Sequence, residues 1–278
     1  MKKSQNRKGG IYLLIVLVAL VFGFLLVGGI VPSFKLTPSD NSSEYEIITP
    51  GPQGGQNSLQ LDPIKFKKCS STFAVDFLLD RSNSMNELVS GNSKIQKLKE
   101  AVLAFANKMS DDSIIGMQDF SSPTGEQDLR LLPEYKELVP ISYFRDVKQS
   151  IPSLVNSLQA DGNTYTRDAF VFAKFKLDAA IPNFPSKYKF DLIFISDGVP
   201  HTPNGDFDPA QIPTDVAAQI KNEGITIFTI AYNLNDQKGL SLMQTLASNP
   251  SDAFVAPAPA QLDQILNQIA FKLCTEPQ

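Results

Sequence analysis

Between residues 69 and 274, the sequence alternates short apolar runs with longer segments that repeat apolar residues on one helix face. Residues 190–196, FDLIFIS, are almost continuously apolar, which is typical of a strand covered on both faces of its sheet. Residues 94–109 instead place apolar side chains three or four positions apart. This alternation predicts an α/β fold, in which an open, mainly parallel sheet lies between two layers of helices.

The predicted elements follow one another along the whole segment. Strands are predicted at residues 71–79, 113–120, 130–139, 190–196, 225–231 and 253–255. Helices are predicted at residues 94–109, 142–158, 166–180, 214–222, 238–248 and 259–273. Pro133 marks the third strand as an edge strand, and Pro152 is expected to kink or split the second helix.

The N-terminal 31 residues predict a membrane anchor. Residues 11–31 contain no charged side chain, and at about 1.5 Å per residue they are long enough to span the apolar core of a bilayer. A cleaved signal peptide is the competing interpretation, but the apolar run is longer than usual and no A-x-A site follows it. Residues 1–10 carry basic side chains and no acidic one. We therefore predict a single-pass helix in the cell membrane, with residues 1–10 in the cytoplasm and the remainder outside it.

The segment after the apolar run predicts a spacer. Residues 32–68 are rich in Pro, Gly, Ser, Asn and Gln and show no sustained apolar period. We therefore predict an extracytoplasmic linker that leads to a folded domain at residues 69–274, followed by a tail at residues 275–278.

Composition argues against several classes of function. The chain has 25 basic and 29 acidic residues, so it lacks the basic excess of a nucleic-acid-binding protein. A single histidine, His201, makes a Ser-His-Asp hydrolase unfavourable, and with only two cysteines an ordinary structural zinc site lacks ligands. No G-x-x-x-x-G-K sequence follows a predicted strand, which argues against a P-loop enzyme. A bound metal would be held mainly by oxygen, which indicates Mg²⁺, Mn²⁺ or Ca²⁺.

Three predicted loops at the carboxyl ends of strands carry oxygen donors, and ligands of such sheets bind at that edge. Asp80, Ser82 and Ser84 alternate along the loop after the first strand, so their side chains can point in one direction. Thr164 precedes a helix, and Asp197 follows the buried strand. These two carboxylates and three hydroxyls suit a hard divalent cation with one or two positions left for water or a ligand. The alternative is that the serines cap helices and Asp197 forms a turn.

Three segments in this order, FLLDRSNSM, DGNTYTRDAF and LIFISDGVP, resemble the von Willebrand factor A domain, the fold of the integrin I domain. The resemblance covers about residues 69–274 and implies a six-stranded sheet with one antiparallel edge. Thr164 is chosen over Thr166 because the family's ligand is the first residue of a Thr-x-Thr pair. The resemblance thus implies a metal-ion-dependent adhesion site (MIDAS) formed by the residues that match by position: Asp80, Ser82, Ser84, Thr164 and Asp197.

The function implied by this resemblance is protein binding rather than catalysis. A Mg²⁺ or Mn²⁺ ion would complete its coordination with an acidic side chain from a protein partner. One alternative is a scaffold or assembly subunit of a cell-envelope or surface-pilus apparatus. A metal-dependent hydrolase that uses Ser82 or Ser84 is less favoured, because the nearby carboxylates are committed to the ion and no general base is evident.

The two cysteines, Cys69 and Cys274, lie at the two ends of the predicted domain. Domain termini are commonly close together, and an extracytoplasmic compartment can oxidise thiols. We therefore predict a Cys69–Cys274 disulfide, with two free thiols as the alternative.

Overall fold

The computed structural model describes residues 72–121, 136–201, 206–234 and 236–275. The predicted anchor at residues 11–31, the predicted linker and Cys69 lie outside these ranges. Within them, no helix combines the length and the apolar character needed to cross a membrane. The described ranges contain most of the predicted domain, including every residue of the predicted metal centre.

The strands and helices alternate as the sequence predicts. The strands are β1 (Ala74–Asp80), β2 (Leu88–Val89), β3 (Asn92–Ser93), β4 (Ile114–Phe120), β5 (Lys136–Tyr143), β6 (Phe190–Ser196), β7 (Thr226–Tyr232) and β8 (Ala253–Ala256). The α-helices are α1 (Lys94–Ala106), α2 (Phe144–Val147), α3 (Ile151–Asn156), α4 (Thr166–Ala180), α5 (Thr214–Asn222), α6 (Gln237–Leu246) and α7 (Pro259–Thr275).

Six of these strands form one sheet in the order β5-β4-β1-β6-β7-β8. All neighbouring pairs are parallel except β4 and β5, so the predicted single antiparallel edge is present. β4, the next strand of this sheet along the chain, lies on one side of β1, and β6 lies on the other side. The strand order therefore reverses at β1, and a crevice forms there between the loops that leave β1 and β6.

The core is split by the sheet into two layers of apolar side chains. Side chains of α1, α3 and α7 pack on one face, where they meet Val75, Phe77 and Leu79 of β1. Side chains of α4, α5 and α6 pack on the other face, where they meet Ala74 and Leu78. Because β1 is covered on both faces, its whole length is buried, including its carboxyl end.

The predicted helix at residues 142–158 is wrong in its first part. The antiparallel strand β5 continues through Tyr143, which is paired with Ile114, while Ser142 is paired with Ile115. The Tyr143 ring also packs edge-on against Phe184 at 5.3 Å between centroids. These pairings favour extended backbone over helix. The remainder is divided into α2 and α3, and Pro152 lies in the first turn of α3, where its missing N–H has no helical acceptor.

Candidate metal centre

The five predicted metal ligands lie at the carboxyl edge of the sheet, four of them on the three loops predicted to meet there and one at the end of a strand. Asp80 is the last residue of β1, and Asp197 directly follows β6. Ser82 and Ser84 belong to the tight turn that follows β1, and Thr164 lies two residues before α4. The parallel pairing of β1 with β6 brings the first and third loops side by side.

Hydrogen bonds join three of these side chains into a chain. The hydroxyl oxygens of Ser82 and Ser84 are 3.0 Å apart, and the Ser84 hydroxyl donates to Asp197 Oδ1 at 2.7 Å. Ser82 and Asp197 are both buried. The two serines therefore face the carboxylate of Asp197 across the crevice, as their alternating spacing predicts.

Asp80 is fully buried, and it is hydrogen-bonded to the Ser82 backbone next to these three side chains. Its Oδ1 accepts a hydrogen bond from the Ser82 N–H at 2.7 Å, and its Oδ2 accepts one from the Ser196 hydroxyl at 2.6 Å. Burial, and then the nearby negative charge of Asp197, raises the pKa of Asp80 above its usual range. The two buried carboxyl groups disfavour each other's ionisation. A cation bound between them would stabilise their ionised forms.

The loop that carries Thr164 is fastened to the loop after β1 by two backbone hydrogen bonds. The Asn83 N–H donates to the Gly162 carbonyl at 2.8 Å, and the Asp161 N–H donates to the Arg81 carbonyl at 2.7 Å. Gly162 has a φ of 74°, a conformation that favours glycine. Thr164 is thereby held against the third loop, where a Cβ atom on Gly198 would lie only 3.3 Å from its Oγ1.

A cleft opens beside these side chains, with a volume of about 450 Å³. Ser84, Thr164 and Asp197 line it, as do His201 and residues of the loop after β7. The cleft is large enough for one or two side chains of a partner. Three of the predicted ligands therefore face a space that an external group can enter.

Lys94 and Glu87 also line the cleft, and the sequence pattern does not identify them as part of the site. Lys94 Nζ donates to Asp197 Oδ2 at 2.8 Å and to Glu87 Oε2 at 2.6 Å. Burial alone would lower the pKa of Lys94, but these two carboxylates outweigh it and raise that pKa. One signal is present in the sequence: a lysine at the first position of a helix is opposed by the helix dipole and needs a compensating anion.

The donor set fits a hard divalent cation. In the described ranges, no three His, Cys, Asp or Glu side chains cluster in a way that could hold a metal ion. An ion at this edge would therefore depend on the hydroxyls of Ser82, Ser84 and Thr164 as well as on the two carboxylates. Oxygen-only coordination of this kind suits Mg²⁺ or Mn²⁺, which retain water in part of their coordination shell.

The chain belongs to the von Willebrand factor type A domain family, whose sequence pattern matches residues 75–268. No curated protein sequence matches it. Among solved structures, the pilus adhesin SpaC from Lactobacillus rhamnosus GG has 19% sequence identity and a TM-score of 0.58, over 75% of this chain and 31% of SpaC. This chain thus spans about a third of the length of SpaC.

Two further structures share the fold. Proximal thread matrix protein 1 from the mussel byssus has 17% identity and a TM-score of 0.59, over 75% of this chain and 50% of that protein. Another structure of that protein has a zinc-occupied MIDAS motif. It matches with 16% identity and a TM-score of 0.54, over 75% of this chain and 47% of that one. The von Willebrand factor domain of the type V pili tip protein Mfa5 from Porphyromonas gingivalis has 13% identity and a TM-score of 0.57, over 74% of this chain and 96% of that chain.

Proposed function

We propose that this chain is a membrane-anchored, extracytoplasmic module that binds a protein partner through a divalent cation, Mg²⁺ or Mn²⁺. The ligands in this proposal are Asp80, Ser82, Ser84, Thr164 and Asp197. The observation that carries it is the meeting of these side chains at one edge of the sheet, beside an open cleft. Membership of the von Willebrand factor type A domain family supports the same function.

The bound ion would supply an electrophilic position for an acidic side chain of the partner. Asp80 and Asp197 would balance part of its charge, and the hydroxyls would coordinate it without adding negative charge. Because Ser84, Thr164 and Asp197 line the cleft, a partner carboxylate can approach from that side. Binding rather than catalysis is proposed, since both carboxylates that could act as a base are assigned to the ion.

An assembly role is the second candidate. SpaC is a pilus adhesin and Mfa5 is a pilus tip protein, and both share this fold. In that case, the chain would be a scaffold or assembly subunit of a cell-envelope or surface-pilus apparatus. Partner binding that is independent of the metal ion would favour this second candidate over metal-dependent capture.

Capture of a partner is expected to depend on the ion and on Thr164. The full-length chain, purified in a mild detergent, should form cross-links to surface proteins that disappear with a chelator and return with Mg²⁺. Thr164→Ala should reduce these cross-links at least about tenfold while Mg²⁺ binding is largely kept, because two carboxylates and two hydroxyls remain for the ion.

The matched control for this variant is Thr166→Ala, which removes another buried threonine hydroxyl two positions along the same segment. It should leave the cross-links unchanged. Cross-links that persist in the presence of chelator, or equal losses in the two variants, would contradict metal-dependent capture through Thr164.

The proposed topology and the proposed Cys69–Cys274 disulfide can be tested together on intact cells. Cys274 lies near the end of α7, where it packs against the core layer that contains this helix. A membrane-impermeant maleimide should label neither cysteine at first and should label both after treatment with an impermeant reductant. Labelling before reduction would contradict the disulfide, and no labelling even after reduction and unfolding of surface proteins would contradict the extracytoplasmic location.

A further inference from the structure

Lys94 is a buried cation placed directly beside the proposed metal centre. Its side chain is only 4% exposed, and it contacts Asp197 at 2.8 Å and Glu87 at 2.6 Å. It is also the first residue of α1, where the helix dipole disfavours a positive charge. An ammonium group at such a position is costly unless both carboxylates compensate for it. The placement therefore needs an explanation beyond helix formation.

Asp197 is shared between two different kinds of partner. Its Oδ1 accepts from the Ser84 hydroxyl, which belongs to the proposed ligand set, whereas its Oδ2 accepts from Lys94. Lys94 thus fixes the orientation of this carboxylate and neutralises its charge. The same ammonium group also contacts Glu87, whose side chain is 64% exposed.

The structure also shows what holds Glu87 in this position. The Lys94 N–H donates to the Glu87 carbonyl at 3.0 Å, and the antiparallel β2–β3 hairpin connects the two residues. The tight turn of this hairpin has positive φ at both Ser90 and Gly91. Glu87 and Lys94 are therefore joined by a backbone hydrogen bond as well as by their side chains. These contacts hold Lys94 beside the cleft.

We propose that Lys94 is a positioning residue that acts as an internal cation: it orients Asp197 and lowers the affinity of the centre for a divalent ion. This inference rests on the proposed function. The positive charge of Lys94 repels a divalent ion in the same centre and cancels part of the attraction of Asp197. Glu87 reduces this repulsion because it shares the ammonium group. With an ion bound, the net charge of the centre is consequently more positive than it would be without Lys94. This charge favours an acidic partner.

The test is the binding of Mg²⁺ and Mn²⁺ alone to the full-length chain in detergent, measured by calorimetry. Lys94→Gln removes the charge and keeps a hydrogen-bond donor, so the Kd should fall at least about tenfold. Lys94→Arg keeps the charge and should stay within about threefold of the wild-type Kd. Glu87→Gln should raise the Kd, because the Lys94 ammonium group then loses one of its two compensating carboxylates. Circular dichroism should verify the fold of each variant.

The outcomes separate this inference from the proposed function. Tighter binding by Lys94→Gln with weaker binding by Glu87→Gln would support it. Unchanged or weaker binding by Lys94→Gln, when the wild-type chain binds the ion, would overturn the role of Lys94 and leave the proposed function intact. If Lys94→Gln fails to fold, the direction of the Glu87→Gln effect decides. No binding by the wild-type chain or by either variant would overturn the proposed function together with this inference.

Discussion

Replacing Asp76 by Asn is expected to raise the free energy of unfolding by about 4 kcal/mol at pH 7. Asp76 lies in the middle of β1 and is fully buried. Burial raises the pKa of its carboxyl group to about 8, and the charge of Glu137 adds to this effect, whereas the Gln118 hydrogen bond and Lys176 oppose it. The carboxyl group is therefore neutral in the folded chain at pH 7 and ionised in the unfolded chain.

The surroundings of Asp76 are arranged for a neutral group. Its Oδ1 accepts a hydrogen bond from Gln118 Nε2 at 3.4 Å. Its neighbour on β4 is Gly116, and a Cβ atom at that position would lie only 2.5 Å from Oδ1, so glycine leaves the room that the carboxyl group needs. In the described part of the chain, neither Asp76 Oδ2 nor Gln118 Oε1 has a hydrogen-bond partner. A proton on Oδ2, or the side-chain amide that Asp76→Asn introduces, would supply the donor that this pair lacks.

The sign of the pH dependence follows from the raised pKa. The contribution of Asp76 to stability is fully present below about pH 4, where folded and unfolded chains both carry the proton. It is lost as pH rises towards about 8, because the unfolded chain releases the proton first.

Urea unfolding of the full-length chain at pH 5, 6, 7 and 8 should show this loss in the wild type and its reduction in Asp76→Asn. Asp178→Asn, on the exposed side of α4, should leave both the stability and its pH dependence nearly unchanged. An Asp76→Asn variant that is less stable than the wild type at pH 7, with the same pH slope, would contradict a neutral Asp76.

Much of the fold can be predicted from the sequence because its signals are local. The helix at residues 166–180 and the strand at residues 190–196 have the predicted bounds in the structure. Both have a strong apolar pattern, and the almost continuously apolar strand is buried along its whole length. The end of β5 is not predictable in this way, because Ser142 and Tyr143 are extended through their pairing with β4, a contact between distant residues.

The meeting of the proposed ligands at one edge of the sheet can also be predicted, since they follow strands or precede a helix in three short segments. The position of Asp80 is predicted less well: it is not a loop residue but the buried end of β1. The place of Lys94 and Glu87 beside the metal centre is not predictable from the sequence. It depends on the contact of Lys94 with Asp197, which lies more than a hundred positions further along the chain. Helical periodicity predicts where α1 runs but not which carboxylate its first side chain contacts.

Replacing Asp80 by Ala is expected to weaken Mg²⁺ binding at least about a hundredfold. Loss of a residue that only orients a metal ligand typically costs about 10–100-fold in affinity, and Asp80 is proposed as a ligand itself. The variant also removes the acceptor of the Ser82 N–H and of the Ser196 hydroxyl, so the serine turn loses its support. Because Asp80 is buried, Asp80→Asn serves as a second variant of the same size that keeps one acceptor oxygen.

The central claim is tested most directly by calorimetric titration of Mg²⁺ and Mn²⁺ into the full-length wild-type chain, Asp80→Ala and Asp80→Asn. Asp112→Ala is the control, since it removes an exposed carboxylate before β4, at the opposite edge of the sheet. We expect one ion per wild-type chain, the same affinity in Asp112→Ala, and at least about a hundredfold weaker binding in Asp80→Ala, with a smaller loss in Asp80→Asn. Equal affinity in the wild type and both Asp80 variants, with all four chains folded, would contradict a metal centre at this edge of the sheet.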